Sequence, residues 1–262
     1  MRVRCLVAAA CAMLTCTTAQ AQGPPAAPTA PPASASVVAP VDFRGYWVAP
    51  IMEDWRWRMV TPLRGDAASI PVTAAARPLI DAWDPAKDEA AGDECKAYGA
   101  PALLRVPGRL RIRWQGENTL TIEADSGQQT RVLHFDEPPP AGTPPTRQGY
   151  SRAGWSFRSG RAAPAGVPLG MAPGRPAQSR TLEVTTTHLL PGYLRKNGIP
   201  FSAETTVTEY FDRFTEPDGA EWFTVTTIVA DPVYLGLPFV TTTDFHKERD
   251  GSRWDPRPCS AR

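Results

Sequence analysis

His134, His188 and His246 are the only imidazoles in the chain, and they bound its acid–base and metal chemistry. A zinc site built on three histidines needs every ligand within about 2 Å of the ion. No HxH or HxxxH spacing brings two of them together locally, so neither a metal nor another cofactor is expected. Proton transfer has a more compact candidate in His134-x-Asp136. Side chains two apart on a strand point the same way, and a carboxylate beside an imidazole can orient it as a general base. Among the carboxylates Glu183, Glu209 and Asp231 on other segments, Glu209 is the expected third member of such a group. The competing reading has His134 at a strand end, with Asp136 solvated in the turn before Pro138. Nucleophilic catalysis has less support: Gly149-Tyr150-Ser151-Arg152-Ala153-Gly154 lacks the spacing and the strand-to-helix setting of a nucleophile elbow. No dinucleotide fingerprint or phosphate loop occurs.

The aromatic residues carry more signal. Eight tryptophans (47, 55, 57, 83, 114, 155, 222 and 254) accompany the tyrosines. Rings of this size fill cores and also line apolar pockets. Trp47, Trp114, Trp155 and Tyr210 are the expected cavity-facing set, and Trp55-Arg56-Trp57 reads as two indoles on one strand face. The arginines at 105, 109, 111 and 113 read as a solvated strand face, and Arg195-Lys196 beside Asn197-Gly198 as a hairpin tip.

These residues need a scaffold, and the scaffold is legible as alternation. In 109–115, Leu110, Ile112 and Trp114 alternate with Arg109, Arg111, Arg113 and Gln115, a period of two. The pattern repeats in 119–124 and 129–135, separated by the turns Glu117-Asn118 and Asp125-Ser126-Gly127, which makes a meander. Further strands are expected at 43–49, 153–157, 181–188, 204–214, 221–230 and 239–247, the hairpin at Pro217-Asp218-Gly219 joining two of them. One short N-terminal helix is expected, capped by Thr73, with Leu79, Ile80 and Trp83 on one face and Pro85 ending it. The fold class is therefore all-β, mainly antiparallel: a single barrel or barrel-like sandwich of about 8–10 strands.

The N-terminus reads as an export signal. Arg2 and Arg4 precede the apolar run Leu6–Leu14, and Ala19-Gln20-Ala21 offers a cleavage site. That run is far short of the roughly 20 residues that cross a bilayer, so no transmembrane segment is expected. Residues 22–41, Pro/Ala-rich and with no charge before Val41, read as a disordered tether. Residues 42–262 read as one domain, with 158–180 a long Gly/Pro/Arg-rich loop. Without 1–21 the chain holds 26 Lys+Arg against 27 Asp+Glu, a balance that gives no general pull toward nucleic acid. Only Cys95 and Cys259 remain of five cysteines. In an exported protein two cysteines most often pair; free thiols or a metal pair are the alternatives.

One further pattern spans about 42–259: Cys95-x-x-x-Gly99-x-Pro101, Gly149-Tyr150-Ser151-x-x-Gly154-Trp155, Asn197-Gly198-Ile199-Pro200-x-Ser202, Thr208-Glu209-Tyr210-Phe211, Asp231-Pro232-Val233-Tyr234-Leu235 and Pro258-Cys259. Taken together it resembles an uncharacterised family of exported bacterial β-rich proteins, lipocalin-like in outline. The resemblance implies export, a barrel and the cysteine pair; it implies no activity. The leading functional expectation is a periplasmic or secreted carrier for a small, largely apolar ligand inside the barrel. A cavity enzyme (hydrolase, isomerase or cyclase) acting through His134, Asp136 and Glu209 is the second, and an envelope structural or interaction module the third.

Overall fold

Nine of the alternating segments pair edge to edge until the sheet has no free edge. In chain order the strands are β1 (Gly45–Val48), β2 (Arg109–Trp114), β3 (Thr119–Ala124), β4 (Gln129–Phe135), β5 (Tyr150–Ser159), β6 (Gln178–Thr187), β7 (Gly192–Arg195), β8 (Ile199–Phe201), β9 (Thr206–Thr215), β10 (Glu221–Ala230) and β11 (Phe239–Glu248). Around the wall the order is β1-β11-β10-β9-β6-β5-β4-β3-β2, and β2 returns to β1; β7 and β8 form a separate hairpin. The computed structural model describes residues 33–135, 137–159 and 178–262. The expected leader 1–21, most of the expected tether and Asp136 lie outside them. The all-β barrel reading holds, with one departure from a pure meander: β4 and β5 run parallel. Parallel neighbours need a crossover, and the Pro-rich stretch 137–149 supplies it.

Period two sorts the wall into an oily inside and a polar outside. On β2 the arginines face outward, where Arg109 pairs with Glu248 and Arg111 and Arg113 with Glu123. Inside, the ring of Trp47 packs edge-on to Phe223 at 4.7 Å, and Phe223 stacks on Phe245 at 4.7 Å. The inward register Phe211↔Val225 and Phe223↔Phe245 belongs to one apolar cluster, and Val207↔Val229↔Phe239 to a second. Between them runs a polar row, Glu209↔Thr227↔Thr241. Opposite it, Arg131 points inward from β4. The barrel interior is thus two oily layers with a belt of Glu, Arg and Thr between.

Both ends are covered. At one end the expected tether does not stay extended: from residue 33 the chain packs, and a helical turn α1 (Ala35–Val38) sits on the β2–β3 turn. There Asn118 Oδ1 accepts from the Ala35 amide at 2.7 Å, and Phe43 enters the core against Trp155, Phe211 and Phe223. Polar capping of a free amide and burial of an aromatic ring hold a segment whose composition favours disorder.

The other end carries a cap of short helices: α2 (Trp55–Arg58), α3 (Arg77–Ala82), α4 (Pro85–Ala91), a 3-10 turn (Glu94–Tyr98) and α5 (Ala100–Leu103), with the β7–β8 hairpin. This corrects the expectation of a single helix. Pro85 starts a helix instead of ending one, because Asp84 caps it and proline is tolerated at the first helical position. Trp55 and Trp57 lie on a helical turn, not a strand, so Trp55 is exposed while Trp57 is half-buried. Of the expected helix face, Ile80 and Trp83 are buried and Leu79 is exposed. The β7–β8 tip turns at Gly198, φ +80°, where a Cβ would fall 2.2 Å from Trp83 Cγ, so only glycine fits. At the edges of the expected loop 158–180 the chain is strand, since β5 and β6 pair out to Ser159↔Gln178; the rest of that loop, 160–177, lies outside the described residues.

Cys95 and Cys259 are bonded, with Cα atoms 5.1 Å apart, and fasten the C-terminal segment to the 3-10 turn. Asp231 fastens the cap elsewhere. Its carboxylate accepts from the amides of Ser202, Val233 and Tyr234 and from Thr205 Oγ1 at 2.6 Å. Burial pushes this carboxyl up, but the four hydrogen bonds outweigh that and hold it below the usual range. A carboxyl held low in the folded state adds stability above its unfolded value, near 3.9, and loses it as pH falls through the folded value. Unfolding free energies measured between pH 5 and pH 2.5 should therefore fall more steeply for the native chain than for Asp231→Asn. Parallel slopes would show that Asp231 does not anchor the cap.

Candidate functional site

The sequence-derived acid–base group does not assemble. His134 lies on the outer face of β4, stacked on Tyr150 with ring centroids 4.4 Å apart. Glu209 lies on the inner face of β9, fully buried. The wall separates them, so they share no proton; Asp136 lies outside the described residues. Glu209 instead takes a two-point ion pair from Arg131, with Nη1 to Oε1 at 2.9 Å and Nη2 to Oε2 at 2.6 Å. Arg131 also donates to Ser151 Oγ and Thr186 Oγ1. Both side chains are fully enclosed and both oxygens of the carboxylate are engaged, while Arg131 Nε has no partner among the described residues. His188 meets Thr187 Oγ1 through Nδ1, and His246 lies edge-on to Trp222. Among the described residues no His/Cys/Asp/Glu cluster could hold a metal.

Of the expected ligand-binding set, Trp47, Trp114 and Trp155 do face inward, but they are packed against other side chains. Trp47 is fully buried, and its Nε1 donates to the Phe43 carbonyl at 2.8 Å. Trp114 lies 5.0 Å from Phe135 between centroids. Trp155 stacks on Phe43 at 6.2 Å. Tyr210 sits on the opposite face of β9 from Glu209 and Phe211, so it is corrected to an outer-wall residue. Strand alternation decides this: one position along the chain moves a side chain through the wall. Trp155 also borders an open groove of about 530 Å³ on β5 and β6, beside Arg152 and Glu183.

A different concavity forms where the cap meets the barrel end. Its volume is about 250 Å³, and it is walled by Trp57, Tyr98, Leu194 and Val106 together with Arg58, Arg105 and Arg195. Three segments distant in sequence deliver the arginines. Arg58 comes from α2, Arg105 follows α5, and Arg195 ends β7 at the Asn197-Gly198 tip. Each is held in place by its own contacts. Arg58 donates through Nε to the Arg105 carbonyl at 2.9 Å and through Nη1 to Glu53. Arg105 pairs with Asp54 at 2.8 Å and lies 5.9 Å from the Phe239 ring centroid. Arg195 stacks its guanidinium 4.7 Å from the Trp57 centroid. Lys196 and Arg262 add cations at the rim.

The reading of 105, 109, 111 and 113 as one solvated face is thus corrected for Arg105, which precedes β2 and is buried, and the Arg195 tip turns inward. Each of these arginines follows or flanks an apolar or aromatic residue (Trp57, Leu104, Leu194) at the end of a short element. That neighbourhood is a weak signal, and it becomes meaningful only once the three ends meet. Searches for related proteins found no matching family model, no matching curated protein and no matching solved structure.

Proposed function

We propose that the protein is an exported binding module for a small molecule, and that its ligand occupies the cavity at the capped barrel end and not the lumen. The observation that carries this reading is the combination of an occupied lumen with a walled space of about 250 Å³ at the cap. Aromatic and aliphatic walls with a few convergent polar groups are what small-molecule sites require. The volume lies just under the usual range for drug-sized ligands, so the ligand is smaller than those. Trp57, flanked by Arg195 at 4.7 Å and Arg56 at 5.4 Å, is the wall that a ligand would touch. Export, read from residues 1–21, belongs to the same proposal, and the bonded cysteine pair is what an oxidising compartment sustains. The interaction-module reading draws support from one stretch, where Met52, Trp55, Met59, Val60 and Leu63 are all exposed beside the cavity.

The test expresses the full chain in a bacterial host. Export predicts a periplasmic product that begins at Gln22. On that product, small aromatic and aliphatic compounds at micromolar to millimolar concentration should change the tryptophan emission, and Trp57→Phe should remove at least half of the change. An emission response that survives Trp57→Phe intact would place the ligand elsewhere, and a product retained in the cytoplasm with residue 1 intact would remove export.

A further inference from the structure

The charges around this cavity do not balance. Arg58, Arg105 and Arg195 are 7%, 7% and 5% exposed. A buried guanidinium is costly unless its charge and its N–H groups are matched. Glu53 answers Arg58 and Asp54 answers Arg105. Among the described residues Arg195 has no carboxylate in contact: its Nη1 and Nη2 donate to the Ala68 carbonyl at 2.8 Å and to Ser69 Oγ at 2.9 Å. Asp54 and Asp66 act on it only through space. Lys196 at the rim donates to the main-chain oxygen of Arg262, and Arg262 is answered by Glu89. Among the described residues that wall the cavity none is Asp or Glu.

The donors are also short of acceptors. Among the described residues Arg58 Nη2, Arg105 Nη1 and Arg195 Nε are buried without a hydrogen-bond partner, as are Arg131 Nε and Arg213 Nε away from the cavity. Burial and the charge of Arg105 push Arg195 down to about 10, the mark of a cation that the surrounding protein does not neutralise. At neutral pH it remains protonated.

We propose that the cavity takes an oxyanion, a carboxylate or phosphate carried on a small and partly apolar body, with Arg195 supplying the unmatched charge and Arg58 and Arg105 completing the donor set. The proposal rests on the reading of this cavity as the ligand site and names the chemical class that fills it. Planar guanidinium forks fit the paired oxygens of both groups, and such charge-assisted bonds are the strong ones. The Trp57 face, Val106 and Leu194 give the body its apolar seat.

Calorimetric titration of the full exported chain with benzoate, phenyl phosphate, inorganic phosphate and benzyl alcohol tests it. At least one of benzoate and phenyl phosphate should bind 30-fold or more tightly than benzyl alcohol, and inorganic phosphate at least tenfold more weakly than the better organic anion. The anion's affinity should fall severalfold between 20 and 200 mM salt, while that of benzyl alcohol stays put. Arg195→Gln should weaken the anion roughly 10–100-fold, the usual worth of a charged hydrogen bond, and leave benzyl alcohol within threefold. Should Arg195→Gln fail to fold, the salt dependence and Lys196→Gln, which removes the rim cation, carry the test; Lys196→Gln should weaken the anion twofold to fivefold. Benzyl alcohol binding as tightly as the anions, with no salt dependence, overturns the oxyanion assignment and leaves the ligand site standing. Inorganic phosphate equal to phenyl phosphate overturns the assignment of an apolar body. Silence from all four probes, with unmoved Trp57 emission, removes the site itself.

Discussion

Glu209→Ala should cost about 3–5 kcal/mol of stability, because it leaves Arg131 charged and alone in the middle of the barrel. The pair is wholly enclosed, and Arg131 draws on Ser151 and Thr186 besides. In the low-dielectric interior each partner is tolerable only with the other present, so removal of one exposes the full desolvation penalty of its mate. For a domain of this size the loss corresponds to a melting temperature lower by roughly 6–20 °C. Arg131→Met should do similar damage. The double variant Arg131→Met/Glu209→Leu should recover most of it, since apolar side chains of like volume commonly replace a buried ion pair without loss. Calorimetric or denaturant unfolding of Arg131→Met, Glu209→Leu and the double variant gives the coupling directly. Single variants within about 1 kcal/mol of the native chain would mean that water or alternative partners reach the belt, and that the pair is not enclosed. The prediction also separates structure from chemistry. Neither residue lines the capped cavity, so ligand binding should persist wherever the barrel still folds.

Reducing the Cys95–Cys259 bond should lower stability by up to about 5 kcal/mol, the chain-entropy value for closing a loop of this length. The bonded residues are 164 apart in sequence, so the open chain regains a very large loop. The bond also has a local job. It holds the C-terminal segment against the 3-10 turn that contributes Ala97 and Tyr98 to the cavity, and Arg262 at the rim lies three residues beyond Cys259. Thermal unfolding with and without reductant, and of Cys95→Ser/Cys259→Ser, should show the same shift. Binding of small ligands at the cap should weaken under reducing conditions even at temperatures where the barrel is intact, because the C-terminal segment is free to leave its place. A shift worth less than about 1 kcal/mol would show that the unfolded chain stays compact without the bond. Unchanged binding after reduction would show that Arg262 and Tyr98 keep their positions by other contacts, such as the Lys196 ammonium 5.1 Å from the Tyr98 ring centroid.

Most barrel strands, the alternation of inside and outside along them and the Asn197-Gly198 turn were legible in the sequence, which favoured the cysteine pair without excluding free thiols; it misplaced Trp55-Arg56-Trp57 on a strand and Tyr210 inside the barrel. The legible features are local properties: period two follows from the backbone of an extended chain whatever it packs against. The same alternation already placed Arg131 with Leu133 and Phe135, and Glu209 with Val207 and Phe211, on core-facing positions. Two opposite charges at apolar positions were therefore a readable sign of a buried pair, although Glu209 was expected to do chemistry. Tertiary structure alone decided the rest. Closure of the sheet through β1, the parallel step between β4 and β5 and the packed lumen all depend on which distant edges meet. Only closure reveals that His134 and Glu209 stand on opposite sides of one wall. The cavity is the extreme case: Arg58, Arg105 and Arg195 end or follow three separate elements, and they share one wall only where those ends converge. Spacing along a chain cannot encode such a meeting, because the geometry is set by loop closure and cap packing, not by any repeat.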